Sequence, residues 1–445
     1  MKLDTVMHLL LVAVVVFGNY DAFGQYVWTK DGLNPVFTGG GTGAWDNEVM
    51  VPWVIFNSDS SRYEMWYTGL PRPGGKIGFA ISSDGTTWKR ELNPVLSPSP
   101  GTWDSLLAGV PCVIRENGLY KMWYTGTATN PSGSAEGNRI GYATSPDGRN
   151  WTKYVGNPVF TAGSGAWEAG AVAWCSIVRS AGGYVMFYNG CIANGNVNRI
   201  GRATSVDGIT WQRDALNNPV LNIGETGTWD GNIYLPRVLD VSGKYYMWYT
   251  AETVPGDGFP RIGVATSSDS GKTWVKYAQN PVLTMGSSGS WDARWVELGS
   301  VFFESSFHMW YDGAAPPAYL AWVGHATSPL TPVGITEGEQ ELPQCFMLAQ
   351  NYPNPFNPST TIRYGLPNSS HVTLTVFNTL GQQVGLLQDG EQEAGYHEIR
   401  FDGKNFSSGV YFYRIQVRPL DSAIGRDSKG GAGDFVATKR LLLLK

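Results

Sequence analysis

Carboxylates next to indole rings recur along the sequence, and these pairs are the first residues that could do chemistry. Carboxyl groups serve as general acids and bases, and indole rings pack against the apolar faces of ligands. The pairs stand 58 to 64 residues apart, at Trp45-Asp46, Trp103-Asp104, Trp167-Glu168, Trp229-Asp230 and Trp291-Asp292. Since every repeat carries one, two roles stay open for them: a structural role at the start of a strand, or the lining of a central channel.

The remaining tryptophans divide into those that repeat and those that do not. All but four of the 18 tryptophans recur at equivalent positions of the repeat, and the four exceptions are Trp53, Trp174, Trp295 and Trp322. The first three lie in the apolar stretch that follows a tryptophan–acid pair. Because sugars present C–H faces that pack on indole, Trp53, Trp174 and Trp295 are predicted to bind substrate in the channel, with filling of the core as the alternative.

The elements that must position these residues repeat as well. After each pair comes an apolar strand, then a second strand such as YEMWYTG (63–69), a third such as KIGFAIS (76–82) and a turn such as SSDGTTW (82–88). In the turn, Asp and Ser accept hydrogen bonds from backbone N–H groups and Gly takes a positive φ. A fourth strand leads into NPVL or NPVF. Each unit therefore predicts one four-stranded sheet.

The fifth unit lacks its fourth strand, since it stops at Pro329. A segment near the N-terminus, YVWTKDGLNPVF (26–37), matches the fourth strand of the other units and can replace the missing strand. Radial repetition that is closed in this way hides the edges of the sheets. Residues 25–330 are therefore predicted to form a five-bladed β-propeller closed by its N-terminal strand.

The composition agrees with an all-β protein and excludes some partners. Aromatic residues make up 13% of 445 residues, glycines number 56, and no long segment has the helical period of 3.6. The formal charge is −5 with scattered Lys and Arg, which argues against nucleic acid as a partner. No histidine spacing typical of metal ligands occurs, so no metal and no cofactor are predicted.

The first 24 residues have the features of a secretory signal peptide, with cleavage expected before Gln25. The apolar run from Leu9 to Phe17 is short for a membrane span, and no later run reaches about 18 apolar residues. The mature chain is therefore expected to have no transmembrane segment. The four cysteines, Cys112, Cys175, Cys191 and Cys345, are too few for a disulfide framework, and one bridge remains open.

Residues 342–445 contain no tryptophan and do not show the repeat of the preceding units. Residues 331–341 are predicted to be a linker. Alternation at Val372, Leu374 and Val376 with frequent turns predicts a small immunoglobulin-like β-sandwich. The words NYPNPFNPSTTI, LGQ and SGVYFYR strongly resemble the type A C-terminal sorting domain of the type IX secretion system. The resemblance implies that the secretion machinery is a partner and that the protein is secreted or attached to the cell surface.

The repeats also carry a resemblance. The turn phrase resembles the Asp-box of sialidases, and YxMWYTG with RIGxATSxDG resembles the propeller clan of glycoside hydrolase families 43, 32 and 130. In family 43 the working acids lie on the innermost strands, typically just before Pro or Gly. The matching positions in this chain are Val51, Val110, Ala173, Leu235 and Glu297. Glu297 alone among them is acidic.

The resemblance implies Glu297 as a general acid, with Glu48, Asp46 or Asp292 as the second carboxylate. Arg237 and Arg294 are predicted to bind substrate, and ion pairs between these arginines and the acids are the alternative. The expected function is a secreted carbohydrate-active propeller, acting as a glycoside hydrolase on a polysaccharide or oligosaccharide. The alternative is a non-catalytic surface propeller that binds glycan or protein. Two or more opposed carboxylates would favour hydrolysis, whereas a lone Glu297 would favour binding.

Overall fold

The computed structural model describes residues 26–70, 74–128, 137–192, 197–241, 243–254, 258–304, 306–316, 320–329, 346–349, 351, 354, 356–420 and 435–444. Every regular element in these ranges is a β-strand. The predicted signal peptide (1–24), the predicted linker (331–341) and Cys345 lie outside them. The other three cysteines are described, and no disulfide joins them.

Residues 26–329 contribute five four-stranded sheets. Their strands are β1 (Thr29–Lys30), β2 (Glu48–Asn57), β3 (Arg62–Leu70), β4 (Lys76–Ser82), β5 (Lys89–Arg90), β6 (Leu107–Glu116), β7 (Leu119–Thr127), β8 (Arg139–Ser145), β9 (Thr152–Lys153), β10 (Ala171–Ser180), β11 (Gly183–Cys191), β12 (Asn198–Ser205), β13 (Gln212–Arg213), β14 (Asn232–Val241), β15 (Lys244–Glu252), β16 (Arg261–Ser267), β17 (Val275–Lys276), β18 (Trp295–Phe303), β19 (Ser306–Ala314) and β20 (Trp322–Pro329).

Four sheets are continuous antiparallel meanders, and one is not. The first to fourth sheets are β2–β5, β6–β9, β10–β13 and β14–β17, whereas the fifth has the order β1-β20-β19-β18. Thr29 of β1 pairs with Thr327 of β20, and Phe37 forms a further bridge to Val323. The first strands β2, β6, β10, β14 and β18 pack side by side in that order, and β18 packs against β2. The five sheets therefore form a propeller-like ring.

The repeated tryptophan–acid pairs hold each sheet together. In the first sheet Trp45 stacks on Tyr67 with ring centroids 6.1 Å apart, while the Asp46 carboxylate accepts hydrogen bonds from Tyr67 Oη at 2.9 Å and Arg90 at 2.6 Å. The same arrangement joins Asp104 to Tyr124 and Lys153, Glu168 to Tyr188 and Arg213, and Asp292 to Tyr311 and Lys30. Asp230 pairs with Lys276. Each acid thus connects the start of the first strand with the fourth strand, and all but Asp230 also accept a hydrogen bond from the second strand.

This arrangement gives Asp46 and Asp292 a structural role in place of the predicted catalytic one. Both carboxylates are buried, and their cationic partners come from the fourth strand of their own sheet, Arg90 and Lys30. The alternative partners expected from the sequence, Arg237 and Arg294, do not form these ion pairs. A carboxylate already held by a cation and a tyrosine is poorly placed to activate water or donate a proton.

The turn phrase links neighbouring sheets. Ser82 Oγ accepts the N–H of Gly85 at 2.9 Å, and Asp84 accepts those of Thr86 and Thr87 at 2.8 and 2.6 Å. The carbonyl of Gly85, which has a φ of 80°, then accepts the indole N–H of Trp310 from the fifth sheet at 2.8 Å. Trp66 and Trp123 donate in the same way to Gly148 and Gly208 of the next sheet.

Residues 346–443 form two further sheets around one hydrophobic core. The first sheet has the order β21 (Met347–Leu348), β22 (Ser359–Leu366), β25 (Gly395–Asp402), and the second has β24 (Gln383–Gln392), β23 (Ser370–Phe377), β26 (Gly409–Pro419), β27 (Phe435–Leu443). Val372, Leu374 and Val376 alternate into the core, as the sequence predicts, and Tyr413 and Ile415 face them from β26. Residues 421–434, predicted to be a loop, lie outside the described residues.

We expect Gly201→Ala to destabilise the third sheet by about 1–3 kcal/mol, the range for overpacking a filled core. A Cβ at Gly201 would lie 2.6 Å from the Tyr188 ring and still closer to Trp167, which leaves no room for a methyl group. Chemical denaturation of the full chain measures the effect. Gly182→Ala is the matched control in the same sheet, because a Cβ there meets nothing within 4 Å. Equal stability of both variants would contradict the packing.

Candidate active site at the centre of the ring

A strained bend interrupts the first strands where they approach the axis of the ring. Val51, Val110, Trp174 and Leu235 have φ values of 47 to 53°, in the left-handed region that β-branched and bulky residues rarely occupy. Each of these strands changes register at the bend, between Met50 and Trp53 in β2 for example. Such strain persists only where its surroundings maintain it, and it is concentrated at functional sites.

A side chain from the neighbouring sheet holds each bend. Asp312 Oδ1 accepts the N–H of Val51 at 2.9 Å, and Thr68 Oγ1 accepts that of Val110 at 2.7 Å. The same bond joins Thr125 to Trp174 at 3.0 Å, Asn189 to Leu235 at 3.0 Å and Thr250 to Leu298 at 2.9 Å. The acceptors are the residues after the Tyr in the second-strand motifs MWYTG, MWYTA, MFYNG and MWYDG. We call these five acceptors the clamp residues.

The clamp residues correct the alignment of the first strands. The residues of β10 and β18 that receive this hydrogen bond, and are therefore equivalent to Val51, Val110 and Leu235, are Trp174 and Leu298. The sequence alignment places Ala173 and Glu297 at these positions. The predicted alignment is therefore wrong by one residue in β10 and β18. A proline follows the bend residue in the other three strands and marks the register, whereas β10 and β18 contain no proline.

Glu297 lies one residue before Leu298, just as Tyr234 lies one residue before Leu235 in the neighbouring first strand, and the two side chains are in contact. The Tyr234 hydroxyl donates to Glu297 Oε1 at 3.0 Å, and the Glu297 side chain still reaches solvent. Burial raises the pKa of the Glu297 carboxyl to about 7, the Tyr234 hydrogen bond lowers this pKa, and the charge of Glu252 raises it. A carboxyl with such a pKa holds a proton for a large part of the time near neutral pH.

Asp312 faces Glu297 directly across the strand pair β18–β19, since the two residues are partners in register. Asp312 is completely buried, and its Oδ2 atom has no hydrogen-bond partner among the described residues. Burial and then the charge of Glu297 raise the pKa of Asp312 well above its usual range, while the hydrogen bond from Val51 and the charge of Arg237 lower it. Sequence reasoning missed this carboxyl, although the change from MWYTG to MWYDG is a visible signal.

Glu252, at the end of β15, is a third carboxyl near this point. Its Oε1 atom accepts a hydrogen bond from Asn232 Nδ2 at 2.9 Å, and its charge raises the pKa of both Glu297 and Tyr234. The side chain is partly exposed. The sequence analysis did not select Glu252. Its signal is a carboxylate where the other second strands end in Leu70, Thr127, Cys191 and Ala314.

Trp174 is the predicted aromatic residue that the structure places beside Tyr234, the hydrogen-bond partner of Glu297. Its ring lies against Tyr234 with centroids 5.6 Å apart, and it packs with Met50 on the apolar cluster of Val51, Val110 and Leu235. The Trp174 side chain is partly exposed. A partly exposed indole at this position is suited to hold the apolar face of a sugar ring.

Trp53 and Arg237 lie on the other side of the bend, in the packing between the sheets. Trp53 Nε1 donates to the carbonyl of Val113 at 2.7 Å, and the Arg237 guanidinium stands 4.9 Å from the Trp53 ring. Arg237 is only 2% exposed and donates to the carbonyls of Pro236 and Gly299. The prediction that Arg237 binds substrate is therefore wrong, because its hydrogen-bonding groups are buried in the core.

The other predicted residues lie near the starts of the first strands. Glu48 is 8% exposed and is paired with Leu70, while Trp295 is partly exposed and is paired with Ala314. The Arg294 guanidinium covers the ring of Phe259 at 4.4 Å. Within the described ranges, no three His, Cys, Asp or Glu side chains are grouped so as to hold a metal ion.

Two comparisons of the sequence identify its relatives. Residues 350–420 match the secretion system C-terminal sorting domain, so the protein is exported by type IX secretion and is secreted or attached to the cell surface. Uncharacterized proteins MT1551 and Rv1502 of Mycobacterium tuberculosis are each 31% identical to the chain over 236 residues, which is 52% of this chain and 74% of each relative. The protein belongs to the family of these mycobacterial proteins.

The fold is similar to that of solved carbohydrate-active proteins. A glycosyl hydrolase from Bacteroides ovatus is 18% identical with a TM-score of 0.53, and the match covers 69% of this chain and 97% of that one. An N-acetylgalactosamine deacetylase from F. plautii, solved with blood group B trisaccharide, is 16% identical with a TM-score of 0.52. That match covers 70% of this chain and 97% of the deacetylase. Because this fold hosts different reactions, the likeness shows the architecture and leaves the chemistry to the site.

No helix long and apolar enough to cross a membrane is present in the part of the chain that the structure describes.

We expect Glu297→Gln to stabilise the protein above pH 8 and to have little effect near pH 4. The pKa of Glu297 is raised from 4.5 to about 7, so its contribution to stability is full below pH 4.5 and is lost as the pH rises through 7. The gain should be about 1 kcal/mol or more at pH 8 to 9. Thermal melts across this range measure it. The same gain at pH 4 would show that burial of Glu297 does not shift its titration.

Proposed function

We propose that residues 25–330 form a five-bladed β-propeller closed by its N-terminal strand, followed by a linker (331–341) and an immunoglobulin-like sorting sandwich (342–445). We further propose that the propeller is a glycoside hydrolase that acts outside the cell on a polysaccharide or oligosaccharide. One observation carries this proposal: the carboxyls of Glu297, Glu252 and Asp312 gather around Tyr234, beside the half-exposed ring of Trp174.

The two partly exposed carboxyls supply the two roles that hydrolysis of a glycosidic bond needs. Glu297, with its pKa near 7, protonates the departing glycosidic oxygen as general acid. Glu252, held by Asn232, serves as the second carboxyl group, which activates water or attacks the sugar. Trp174 supports the ring of the sugar through its apolar face. Asp312 is too deeply buried to touch substrate, and it shapes the electrostatic surroundings of Glu297.

The names of solved structures with the same fold support this reaction class. A structure from glycoside hydrolase family 130, 19% identical with a TM-score of 0.53 over 70% of this chain and 95% of that one, is described as targeting β-1,2-mannosidic linkages in Candida mannan. The sorting domain also agrees with a task outside the cell. Glycans of the cell surroundings are therefore the substrate class that we propose.

The full-length protein should release shorter products from at least one member of a panel of plant, fungal and microbial oligosaccharides. Glu297→Gln and Glu252→Gln should each lower turnover by about 100-fold or more, the scale for removing a general acid or base. Glu48→Gln, at the start of the same ring of strands, should retain turnover. Product analysis by chromatography gives the answer.

Two outcomes would change the assignment. If turnover survives Glu297→Gln and is lost with Glu48→Gln, the catalytic carboxylate is Glu48, which the sequence resemblance suggests as the second carboxylate. Binding of glycan or protein without turnover of any oligosaccharide would support the alternative of a non-catalytic surface propeller.

The pH dependence of turnover should fall above pH 7, because the general acid must be protonated and its pKa is about 7. Tyr234→Phe removes a hydrogen bond that lowers this pKa, so the alkaline limb of the profile should move to higher pH. Rates of the wild type and Tyr234→Phe between pH 5 and 9 test the assignment. An alkaline limb at the same pH in both proteins would mean that another group titrates.

Trp174→Ala should weaken glycan binding by about 1–3 kcal/mol, the scale for burying a large apolar side chain, and should leave the fold intact. Trp53→Ala is the matched control, because its ring and its N–H are engaged in the core. That variant should lose about 3–5 kcal/mol of stability. Calorimetric titrations and thermal melts of both variants separate the two effects. Weakened binding in Trp53→Ala alone would reverse the assignment.

A further inference from the structure

The fifth sheet contains a chain of hydrogen-bonded polar side chains that crosses three strands. Ser306 Oγ lies 3.2 Å from His308 Nε2, His308 Nδ1 lies 3.2 Å from His325 Nε2, and His325 Nδ1 lies 3.3 Å from Asp31 Oδ2. Ser306 and His308 belong to β19, His325 belongs to β20, and Asp31 directly follows β1. The chain therefore connects residues 26–37 with the sheet that they complete.

We infer that this chain, Ser306–His308–His325–Asp31, is an acid-sensitive latch that holds residues 26–37 on the fifth sheet at neutral pH and releases them when a histidine is protonated. The inference concerns the closing of the ring and is independent of the proposed hydrolase activity. We call the four residues the latch.

The latch has one arrangement of protons in which every hydrogen bond is made. If His325 donates from Nδ1 to Asp31, its Nε2 must accept, so His308 donates from Nδ1 and accepts the Ser306 hydroxyl proton at Nε2. Both imidazoles are then neutral, and neither has a spare lone pair for another proton. A further proton must break a bond of the chain or reverse the Ser306 hydroxyl, and it places a charge in a largely buried position.

The surroundings of the pair disfavour the charged form. His325 is 5% exposed, and Trp310 packs over both rings at centroid distances of 5.2 and 6.2 Å. Burial and then the charge of His325 lower the pKa of His308 to about 4. Burial also lowers the pKa of His325, while the charges of Asp31 and Asp84 oppose the shift. The nearby cation Lys30 is already engaged by Asp292.

The sign of the pH effect follows from these shifts. A histidine whose pKa is lowered in the closed sheet binds protons more readily when the strand is detached. The closed state is therefore fully stable above pH 6.5, the ordinary value for histidine, and loses stability as the pH falls towards 4.

The other four sheets show that the latch is specific to the fifth. The positions of His325 and Asp31 are occupied by Phe79 and Glu91, Tyr142 and Tyr154, Arg202 and Asp214, and Val264 and Tyr277. In the third sheet the pair is a permanent ion pair, with Arg202 and Asp214 2.9 Å apart. The position of His308 holds Glu64, Lys121, Val185 and Tyr246. Histidine pairs with histidine only in the fifth sheet.

The asparagine contacts of the strand are the same as in the second, third and fourth sheets. Asn34 binds both the N–H and the carbonyl of His325 at 2.6 and 2.8 Å, as Asn157, Asn218 and Asn280 do for their own third strands. A difference in acid response between the sheets therefore comes from the latch. In the other sheets a short turn also ties the fourth strand to the third, whereas about 290 residues separate β1 from β20 along the chain.

Hydrogen exchange followed by mass spectrometry on the full-length protein tests the inference. Protection factors, which remove the intrinsic pH dependence of exchange, should fall by about 10- to 100-fold for residues 26–37 between pH 7 and pH 4.5, as expected for a histidine pKa lowered from 6.5 to about 4. Protection of residues 212–221, which form the equivalent segment of the third sheet, should change far less.

Two variants borrow their residues from other sheets of the same chain. His325→Arg copies the ion pair of Arg202 and Asp214, and His308→Tyr with His325→Val copies Tyr246 and Val264. Protection of residues 26–37 should become nearly independent of pH in the double variant, and its fall should be smaller than in the wild type in His325→Arg, which keeps His308. A fall in protection as large as that of the wild type in either folded variant would overturn the inference, as would a wild-type segment 26–37 that stays fully protected at pH 4.5.

Discussion

The hydrogen bond from a clamp residue to the bent first strand of the neighbouring sheet is the constraint on which the centre of the ring depends. It is made five times, and in four strands it accompanies a backbone conformation that side chains of L-residues rarely adopt. The bond pays for part of that strain and fixes which residues face the axis. Where the acceptor is threonine or asparagine, nothing but the bend results. Where it is Asp312, the same bond also places an ionisable group beneath Glu297.

The exchange of threonine for aspartate has an electrostatic cost that the site uses. Burial disfavours negative charge on both Asp312 and Glu297; the charge of Glu297 adds to this effect at Asp312, and the charge of Glu252 adds to it at Glu297. Tyr234 works in the opposite direction by donating to Glu297. The balance leaves Glu297 able to gain or lose a proton near neutral pH. Asp46 and Asp292, with a cation and a tyrosine each, are carboxylates of the same chain in the opposite situation.

Much of the ring could be predicted from the sequence because its packing repeats. The order of strands, the turn words and the pairing of 26–37 with the fifth sheet all follow from local patterns that occur several times. The axial site could not be predicted to the same extent. In β10 and β18 no proline marks the bend, so an alignment of the repeats from sequence is wrong by one residue there. Glu252 and Asp312 lie on second strands, and the search for acids was confined to first strands. Only the three-dimensional arrangement shows that Trp53 and Arg237 pack between the sheets, whereas Trp174 lies beside Tyr234.

The pairing of β1 with β20 also has a kinetic consequence for a chain that is exported. Residues 26–37 are synthesised long before their partner strand, which ends at Pro329. Until that residue has followed, the fifth sheet cannot be completed, and contacts between such distant segments form slowly. The four continuous sheets can form from neighbouring segments while synthesis proceeds, and the fifth sheet is therefore the last to be completed.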